Sequence, residues 1–500
     1  MHLSNADNLA RRLRRPAAWR VALGALAWLA TCGASGAAEG EKPSRPNVVY
    51  ILADDLGFTD VACNGSKYYE TPNIDRLAAQ GVRFTNAYTC GPNCQPTRAA
   101  LMSGQYGPRT GIYTVGSIER FAWRTRPLKP VDNVQNLPLE KITLAQSLKA
   151  AGYSTGMFGK WHLGQQGKFH PSQRGFDEAI VSAGKHFEFD TLPKVDYPKG
   201  TYLADFLTDR AVDFIGRHKE GPFFLYLTHF GVHAPHQAKP ELIEHFKKKA
   251  AQGGHHDPTY AAMIASVDES VGRIVKTLDD LKLSENTLVV FASDNGGVGG
   301  YIREGIKKGN DITDNAPLRG GKGMLYEGGI HVPYVFRWPG KITEGQTQGE
   351  PINSVDLYPT LLELAGAKAP EGYPLDGVSY LGLLKGEKTR LDREALYWHF
   401  PGYLGAGAGS WRTTPAGAIR AGDWKLIEFF ETGKIELYNL KNDPGEKNDL
   451  AKASPERVSE LHGKLVEWRE RIHAPMPTKH VPDPNATALK KSTKDDEGSN

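Results

Sequence analysis

The sequence predicts an α/β fold: a large, mostly parallel sheet sandwiched by helices, followed by a smaller antiparallel sheet with one helix. Short apolar runs rich in Val, Ile, Phe and Tyr and bounded by turn residues alternate with helical patterns up to about residue 394. From residue 395 the runs follow one another as in an antiparallel meander. The length of 500 residues is sufficient for a core of this size.

The first 38 residues have the pattern of a secretory signal peptide. Five arginines are followed by the apolar run VALGALAWLA and by small residues, with cleavage expected after Ala38. The apolar run is too short to span a bilayer, and Thr31 disfavours a lipid anchor at Cys32. We therefore expect an exported protein, periplasmic or secreted, without a membrane span.

The formal charge of +4 does not indicate a nucleic-acid binder. Residues 1–38 hold five Arg and one Asp, which gives +4, so the remainder of the chain is neutral. It contains no basic block of the kind that contacts phosphate backbones. Nucleic acid is therefore not an expected partner.

Four of the predicted strands end in polar residues. They are NVVYILADD with Asp54 and Asp55, YSTGMFGKWH with Lys160 and His162, GPFFLYLTHFGVHAPH with His229, His233 and His236, and NTLVVFASDNGG with Asp294 and Asn295. In parallel α/β sheets, ligands bind beyond the carboxyl ends of the strands. We therefore expect one convergent site.

Helices are predicted at 144–152 and 259–281, within a catalytic domain spanning 46–394. A C-terminal subdomain spans 395–473: AIRAGDWKLIEFF, a turn at Thr432-Gly433 and KIELYNL form the antiparallel strands. A final helix begins near Pro455 and places Val458, Leu461, Leu465, Trp468 and Ile472 on one face. The polar, Pro-containing residues 474–500 are predicted to be disordered.

Cys94 stands in the segment CQPTRAALMSG, just before a helix-compatible run. A helix N-terminus favours an anion, and Arg98, one turn further on, is a planar donor suited to a tetrahedral oxyanion. No base paired with the thiol is visible nearby in the sequence. The alternative is structural: Cys90 and Cys94 could form a disulfide bond, since export permits one.

Asp54, Asp55, Asp294 and Asn295 offer only oxygen ligands, which suit Ca²⁺ or Mg²⁺ rather than Zn²⁺. Taken singly, each is equally well explained as a turn or cap residue. Lys160 and His162 are candidates for a charge stabiliser and a proton donor, and His233 is a further candidate acid. Lys322 lies in the Gly-rich segment PLRGGKGMLYEGG, which lacks the spacing of a P-loop.

Two longer motifs resemble a known family. CQPTRAALMSG is similar to the first sulfatase signature and GYSTGMFGKWHLG (152–164) to the second. NVVYILADDLG, HAPH, FASDNGG and GKGMLYEGG follow the order of the family, so that the resemblance spans about residues 46–450. The chain resembles the type I formylglycine-dependent sulfatases, in the arylsulfatase A or N-acetylgalactosamine-6-sulfatase branch, which implies an alkaline-phosphatase-like fold.

The resemblance implies a mechanism. A maturation enzyme, the formylglycine-generating enzyme, would oxidise Cys94 to formylglycine; one hydroxyl of the hydrate would attack sulfur, and the second would then expel sulfate. Ca²⁺ would be held by Asp54, Asp55, Asp294, Asn295 and the modified residue 94. Arg98 would hold the hydrate, His162 would hydrogen-bond it or act as base, Lys160 and Lys322 would bind sulfate oxygens, and His233 would protonate or bind the leaving oxygen.

One departure from the family pattern is Thr97, which stands where Ser is usual. The C-x-P-x-R core remains, so we still expect conversion of Cys94. With Cys94 converted, Cys63 and Cys90 remain, either paired or free.

The expected substrate is a sulfated sugar, a sulfated polysaccharide or an aryl sulfate. The candidate specificity regions are 165–200, 298–316 and 397–411, where Tyr397, Trp398, Tyr403 and Trp411 would either stack on sugar rings or pack the second subdomain. Two other functions remain open: hydrolysis of phosphonate monoesters or phosphodiesters by the same aldehyde, and non-catalytic binding of sulfated glycans if Cys94 is not matured.

Overall fold

A computed structural model describes residues 45–407 and 410–488. The predicted signal peptide, Cys32 and residues 489–500 lie outside this part of the chain. Within it, every helix is too short or too polar to traverse a lipid bilayer.

The strands and helices are as follows. The strands are β1 (Asn47–Ala53), β2 (Val82–Phe84), β3 (Ala87–Tyr88), β4 (Leu128–Lys129), β5 (Ser154–Gly159), β6 (Glu178–Val181), β7 (Phe223–Thr228), β8 (Thr287–Ser293), β9 (Tyr334–Arg337), β10 (Gln346–Gln348), β11 (Ile352–Asn353), β12 (Leu396–Phe400), β13 (Leu404–Gly407), β14 (Ser410–Thr413), β15 (Ala416–Ala421), β16 (Trp424–Phe429), β17 (Ile435–Asn439) and β18 (Thr478–Lys479). The α-helices are α1 (Pro72–Ala79), α2 (Cys94–Ser103), α3 (Gly107–Thr110), α4 (Leu144–Ala150), α5 (Leu203–Arg217), α6 (Pro240–Phe246), α7 (Pro258–Asp280), α8 (Glu327–Ile330), α9 (Leu357–Leu364), α10 (Leu381–Leu384) and α11 (Pro455–Arg471).

The large sheet has eight strands in the order β10-β2-β9-β8-β1-β7-β5-β6. Strand β9 runs antiparallel to both of its neighbours, and every other pair in the sheet is parallel. The predicted large, mostly parallel sheet is therefore confirmed. The four strands with polar ends, β8, β1, β7 and β5, are consecutive neighbours in it, which brings their carboxyl ends to one edge.

Strand β1 shows why the sheet is covered on both faces. All seven of its residues are buried, and they alternate between two cores. Tyr50 and Leu52 belong to a core shared with α2, α4 and α9, whereas Val49 and Ile51 belong to a core shared with α1, α5 and α7. A continuous apolar run is the pattern expected of a strand buried on both faces.

The antiparallel sheet near the C-terminus has the order β12-β15-β16-β17. The predicted hairpin is confirmed, with Gly433 at its turn in the left-handed region at φ 68°. Helix α11 packs Leu461, Leu465 and Trp468 against this sheet, as its apolar spacing predicts. The opposite face of the sheet covers the segment that contains Leu325 and Ile330.

The prediction of a disordered tail from residue 474 is wrong for its first part. Strand β18 pairs antiparallel with β4, and the ring of His480 lies 5.0 Å from that of Trp123. A two-residue strand has too short a pattern to be visible in the sequence, and its partner lies about 350 residues earlier in the chain. This segment is therefore ordered by contacts distant in sequence.

Candidate active site

The ends of the four neighbouring strands carry the predicted site residues. Asp54 follows β1 and Asp294 follows β8, and both are fully buried. Backbone hydrogen bonds fix their positions: Asp54 N–H donates to Gly231 O at 2.9 Å, and Asp294 N–H donates to Ala53 O at 3.1 Å. Lys160 N–H donates to the carbonyl of Thr228, the last residue of β7. The sheet itself therefore brings these side chains together.

Cys94 is the first residue of α2 and is buried, with Asn93 at the N-cap. Its sulfur and carboxylate oxygens of Asp54 and Asp294 lie within 4.8 Å of one another. Burial raises the pKa of the Cys94 thiol, although Lys160 and Lys322 oppose this shift.

The cysteines are not paired in the described part of the chain. Cys63, Cys90 and Cys94 are all free. The alternative of a Cys90–Cys94 disulfide bond is therefore wrong, and the Cys94 side chain is available for chemistry. Thr97, the departure from the family pattern, turns its hydroxyl toward the carbonyls of Gly91 and Asn93, each at 3.3 Å.

Arg98 joins the ends of two strands. Its Nε donates to Oδ2 of Asp294 at 2.8 Å, its Nη2 forms an ion pair with the same oxygen at 2.7 Å, and its Nη1 donates to the carbonyl of Lys160 at 2.5 Å. The rigid guanidinium fork suits this geometry, which an ammonium group would not reproduce. Burial and the charge of Asp54 raise the pKa of Asp294 to about 7 although Arg98 opposes this, so Asp294 requires positive charge beside it to remain ionised.

The other two cations pair with the remaining carboxylates. Lys160 Nζ lies 2.5 Å from Oδ2 of Asp54, and Lys322 Nζ lies 2.7 Å from Oδ1 of Asp55. Burial alone would raise the pKa of both carboxyl groups, but these lysines hold each below its usual range. With Arg98 and Asp294, the site contains three carboxylates and three cations, a formal sum of zero.

Two oxygen atoms at the centre of the site remain without partners. Oδ1 of Asp54 and Oδ1 of Asn295 are buried, and neither accepts a hydrogen bond from any described residue. The Asn295 amide is oriented by its nitrogen, which donates to Oδ1 of Asp55 at 2.8 Å. Burying such acceptors without partners costs free energy, about 1–3 kcal/mol each. Unpartnered oxygens beside carboxylates fit a hard divalent cation.

The histidines differ in their positions. Nδ1 of His233 donates to the carbonyl of Ala234 at 2.7 Å, which turns Nε2 toward Asp55, 3.7 Å from its Oδ2. Burial lowers the pKa of His233 to about 4, with the nearby lysines adding to the effect. His229 instead contacts Ser270 in the interior, at 2.9 Å, and His236 lies beside the ring of Tyr260. Of these three, His233 reaches the charged cluster.

His162 and Asp55 share an unusual backbone conformation. Both lie in the left-handed region, at φ 61° and 68°, which costs free energy for residues other than glycine. His162 is partly exposed, and its Nδ1 is buried without a hydrogen-bond partner among the described residues. Burial and the charge of Lys160 lower its pKa well below the usual range. Strain of this kind is concentrated at functional sites.

The sequence interpretation missed two supporting residues. The hydroxyl of Tyr260, on α7, donates to Oδ2 of Asp60 at 2.7 Å and lies 3.2 Å from the carbonyl of Asp55. Both side chains are buried, and Asp60 also accepts from Thr313 at 2.7 Å. An aspartate five residues after Asp55 is a weak signal in the sequence. Nothing in the sequence indicates that Tyr260, which lies 205 residues after Asp55, belongs to the site.

The aromatic residues of 397–411 mostly pack the subdomain. Tyr397 stacks on Trp468 with 4.7 Å between ring centroids, and Trp398 is buried with its Nε1 donating to Thr89 O at 2.7 Å. Tyr403 is buried beside Trp411, which is partly exposed. The packing alternative therefore holds for Tyr397 and Trp398.

Comparisons with family models and with known proteins both match this chain to sulfatases. A family model described as Sulfatase matches residues 46–367, and one described as N-sulphoglucosamine sulphohydrolase, C-terminal, matches residues 321–471. A sulfatase of Formosa agariphila is 35% identical, covering 92% of this chain and 96% of that protein. The N-acetylgalactosamine-6-sulfatase of Homo sapiens is 33% identical, covering 85% and 84%.

Solved structures of related proteins match this chain over most of its length. The crystal structure of Ps i-CgsB in complex with k-i-k-neocarrahexaose matches with a TM-score of 0.72 at 30% identity, covering 89% of this chain and 96% of that one. The phosphonate monoester hydrolase of Agrobacterium radiobacter matches with a TM-score of 0.63 at 20% identity, covering 88% and 100%, which shows a shared fold alone.

Proposed function

The chain belongs to the sulfatase family, and we propose that it removes sulfate from a sulfated carbohydrate by means of a formylglycine formed from Cys94 and a bound Ca²⁺. One observation carries this proposal. The side chain of Cys94, at the N-terminus of α2, lies with Asp54 and Asp294 in a group of ligand atoms less than 4.8 Å apart. Oδ1 of Asp54 and Oδ1 of Asn295, which follows Asp294, have no hydrogen-bond partner among the described residues, so the site has the composition of a metal site built around a nucleophile.

A carbohydrate is the substrate class best supported by the relatives. Relatives at 30–35% identity include N-acetylgalactosamine-6-sulfatases, and a matching structure at 30% identity holds a neocarrahexaose. A steryl-sulfatase of Homo sapiens is also 30% identical, so identity alone does not fix the substrate. The sugar class therefore remains part of the proposal.

Asp54, Asp55, Asp294 and Asn295, with residue 94, would hold the calcium ion. When bound, it supplies a Lewis acid that withdraws electron density from a sulfate oxygen. The charges fit: three carboxylates and three cations sum to zero, and a divalent ion would make the site positive by two charges. A monoanionic sulfate ester would therefore enter a site of complementary charge.

A formylglycine at position 94 would supply a geminal diol in which one hydroxyl attacks sulfur and the other expels sulfate. Around it, Lys160 and Lys322 would neutralise negative charge on the sulfate oxygens as that charge develops. The neutral ring of His162 would accept a proton from the attacking hydroxyl. Arg98 would both hold the diol and orient Asp294, to which its fork is already bonded.

His233 is suited to serve the leaving oxygen. Its Nδ1 is held by the carbonyl of Ala234, so that Nε2 is the nitrogen free to carry a proton at the site. Because burial lowers its pKa to about 4, the ring is neutral at pH 7 and Nε2 carries no proton until the ring is protonated. We therefore assign the imidazolium form of His233, with its second proton on Nε2, as the donor to the departing sugar oxygen.

Three further expectations belong to this proposal. The chain would be exported by means of residues 1–38, and a formylglycine-generating enzyme would act on it as a partner. The domain boundary proposed after residue 394 is supported by the start of the antiparallel sheet at Leu396.

Parallel turnover assays test the proposal. The purified protein, co-expressed with a formylglycine-generating enzyme, would be incubated with sulfated oligosaccharides, an aryl sulfate, a phosphonate monoester and a phosphodiester. We expect release of sulfate to exceed the phosphorus reactions in kcat/KM. Faster hydrolysis of the phosphorus esters would favour the alternative of a phosphonate or phosphodiester hydrolase, and tight glycan binding without turnover would favour a non-catalytic binder.

A further inference from the structure

A cavity lies beside the segment that carries Lys322. Its volume is about 210 Å³, and its lining includes Glu304, Met324, Tyr326, Trp411, Arg412 and Phe429. Drug-sized ligands occupy pockets of roughly 300–1,000 Å³, so this cavity would admit a substituent or part of a sugar ring rather than a whole oligosaccharide. It brings together two of the regions that the sequence marked as candidates for specificity.

Arg412 connects this cavity to the active site. Its Cζ lies 4.7 Å from the centre of the Tyr301 ring, and the Tyr301 hydroxyl donates to the carbonyl of Lys322 at 2.8 Å. A Cβ placed on Gly323, the residue after Lys322, would lie 3.2 Å from Cδ of Arg412. The stem of Arg412 therefore lies directly against the segment that contributes Lys322 to the site.

Within the part of the chain that the structure describes, the guanidinium of Arg412 differs from that of Arg319 in having no hydrogen-bond acceptor and no anion beside it. Arg319 forms three contacts of 2.9 to 3.1 Å with the Glu304 carboxylate, so the acid that lines the cavity is already neutralised. Arg412 makes neither a hydrogen bond nor an ion pair with any residue of 45–407 or 410–488, and its Nε is buried without an acceptor. One face of its guanidinium is covered by Tyr301, and stacking of this kind leaves the donors at the edge available.

We propose that Arg412 binds a second anionic group of the substrate, a sulfate ester or a carboxylate on the sugar next to the one that loses its sulfate. This inference rests on the proposed function and refines it: the substrate would be a chain with at least two anionic groups. An unpaired guanidinium pairs with either oxyanion through two parallel N–H···O bonds. The ring of Trp411, which is partly exposed and lines the same cavity, offers an apolar face to the same sugar.

Selectivity measurements test this inference. We would compare wild type with Arg412→Gln on a disulfated disaccharide, on a disaccharide with one sulfate and one carboxylate, and on an aryl sulfate with one anionic group. A charge-assisted pair contributes about 1.5–3 kcal/mol, so the kcat/KM ratio of the doubly anionic substrate to the aryl sulfate should fall about 10- to 100-fold. Whichever disaccharide shows the larger fall identifies the anion as sulfate or carboxylate.

Two further variants act as controls. Arg412→Lys keeps the charge but loses the fork, and should recover part of the ratio. Lys307→Gln removes one positive charge from the same 298–316 region, where Lys307 pairs with Asp311 at 3.9 Å and donates to the carbonyl of Asn310 at 3.0 Å, and should leave the ratio unchanged. An equal loss on all substrates in Arg412→Gln, or an equal shift in Lys307→Gln, would overturn the assignment.

A binding measurement separates this inference from the proposed function. In protein carrying Cys94→Ala, which cannot turn over, calorimetry with the disulfated disaccharide should give a Kd that rises about 10- to 100-fold when Arg412→Gln is added. An unchanged Kd would overturn the role of Arg412 even if the wild type is an active sulfatase. If the Kd rises but the matured wild type shows no turnover, the role of Arg412 in binding would be supported and the proposed function would be contradicted.

Discussion

The active site and the junction between the two sheets both bury clusters of charged side chains, but they differ in whether every carboxylate oxygen has a cation or a hydrogen-bond donor beside it. The junction cluster consists of Glu327, Lys425 and Glu446. Lys425 Nζ lies 2.8 Å from Oε1 of each glutamate and is fully buried. Oε2 of each glutamate accepts a hydrogen bond. The Tyr88 hydroxyl donates to Oε2 of Glu327 at 2.6 Å, and the backbone N–H of Glu327 donates to Oε2 of Glu446 at 2.7 Å.

The active site is equally buried but incomplete. Oδ1 of Asp54 and Oδ1 of Asn295 have no partner among the described residues, and His162 is partly exposed beside them. Burial of charge is therefore common to both clusters and does not by itself mark a functional site. The distinguishing feature is the presence of unpartnered ligand atoms next to a position that a substrate can reach.

The two clusters are linked along the chain. Glu327 lies five residues after Lys322, at the start of α8, whereas Lys425 belongs to β16 of the antiparallel sheet. The junction cluster therefore fixes the segment that supplies Lys322 to the active site. We expect substitutions in the active site to affect turnover and those in the junction to affect stability.

The largest expected effect is loss of turnover in Cys94→Ala. Removing the group that carries the nucleophile should lower kcat for sulfate release at least about 10⁴-fold, with little change in the unfolding temperature. Cys90→Ala is the matched control, because Cys90 is also a buried free thiol but is not among the ligand atoms of the cluster. Retention of a tenth of the activity by Cys94→Ala would contradict the assignment.

Substitution of Lys425 in the junction cluster should lower the stability of the fold. Lys425→Met leaves two buried carboxylates without a cation, which should lower the free energy of unfolding by about 3–5 kcal/mol, measured by denaturant titration. Lys276→Met serves as the control, because Lys276 is exposed and its pair with Asp280 should contribute less than about 1 kcal/mol. Equal stability of the two variants would show that the junction charges are not coupled to folding.

Removal of calcium should affect the active-site cluster alone. Chelation would remove the proposed ion from between Asp54 and Asp294, and a site occupied at 100 times its Kd contributes about 2.7 kcal/mol to stability. Calorimetry should show a fall in unfolding temperature that added Ca²⁺ reverses. Asp54→Asn should show a smaller response to chelator, and an unchanged wild-type unfolding temperature would argue against a resident cation.

The smallest expected effect is a difference in pH dependence at the junction. Burial raises the pKa of Glu446 to about 7, with Glu327 adding to the shift and Lys425 opposing it. Because this value exceeds that of an unfolded glutamate, the contribution of Glu446 to stability is complete below about pH 4.5 and is lost as the pH rises to 7.

Glu446→Gln should therefore flatten the decrease in unfolding temperature between pH 5 and 7.5 relative to wild type. Glu327→Gln should destabilise more at every pH, since Lys425 and His331 hold the pKa of Glu327 below its usual range against the effect of burial. If the unfolding temperature of wild type and of Glu446→Gln changed with pH in the same way, this account would be contradicted.

The sequence predicts the parts of the molecule that depend on local patterns. Buried strands are continuous apolar runs, so the positions of Asp54 and Asp294 at the strand ends can be anticipated, as can the start of α2 at Cys94. The junction cluster cannot, because Lys425 lies 98 residues from Glu327 and reads as an ordinary polar position in a strand. The pairing of β18 with β4 escapes prediction for the same reason.

The most direct test of the central claim is a mass spectrum of the tryptic peptide Phe84–Arg98, taken from the native source or from cells that co-express a formylglycine-generating enzyme. The account predicts that the thiol of Cys94 has been replaced by an aldehyde, while Cys90 in the same peptide remains a thiol. An unmodified Cys94 under these conditions would contradict the proposed chemistry and leave a sulfatase fold that binds its ligand without hydrolysing it.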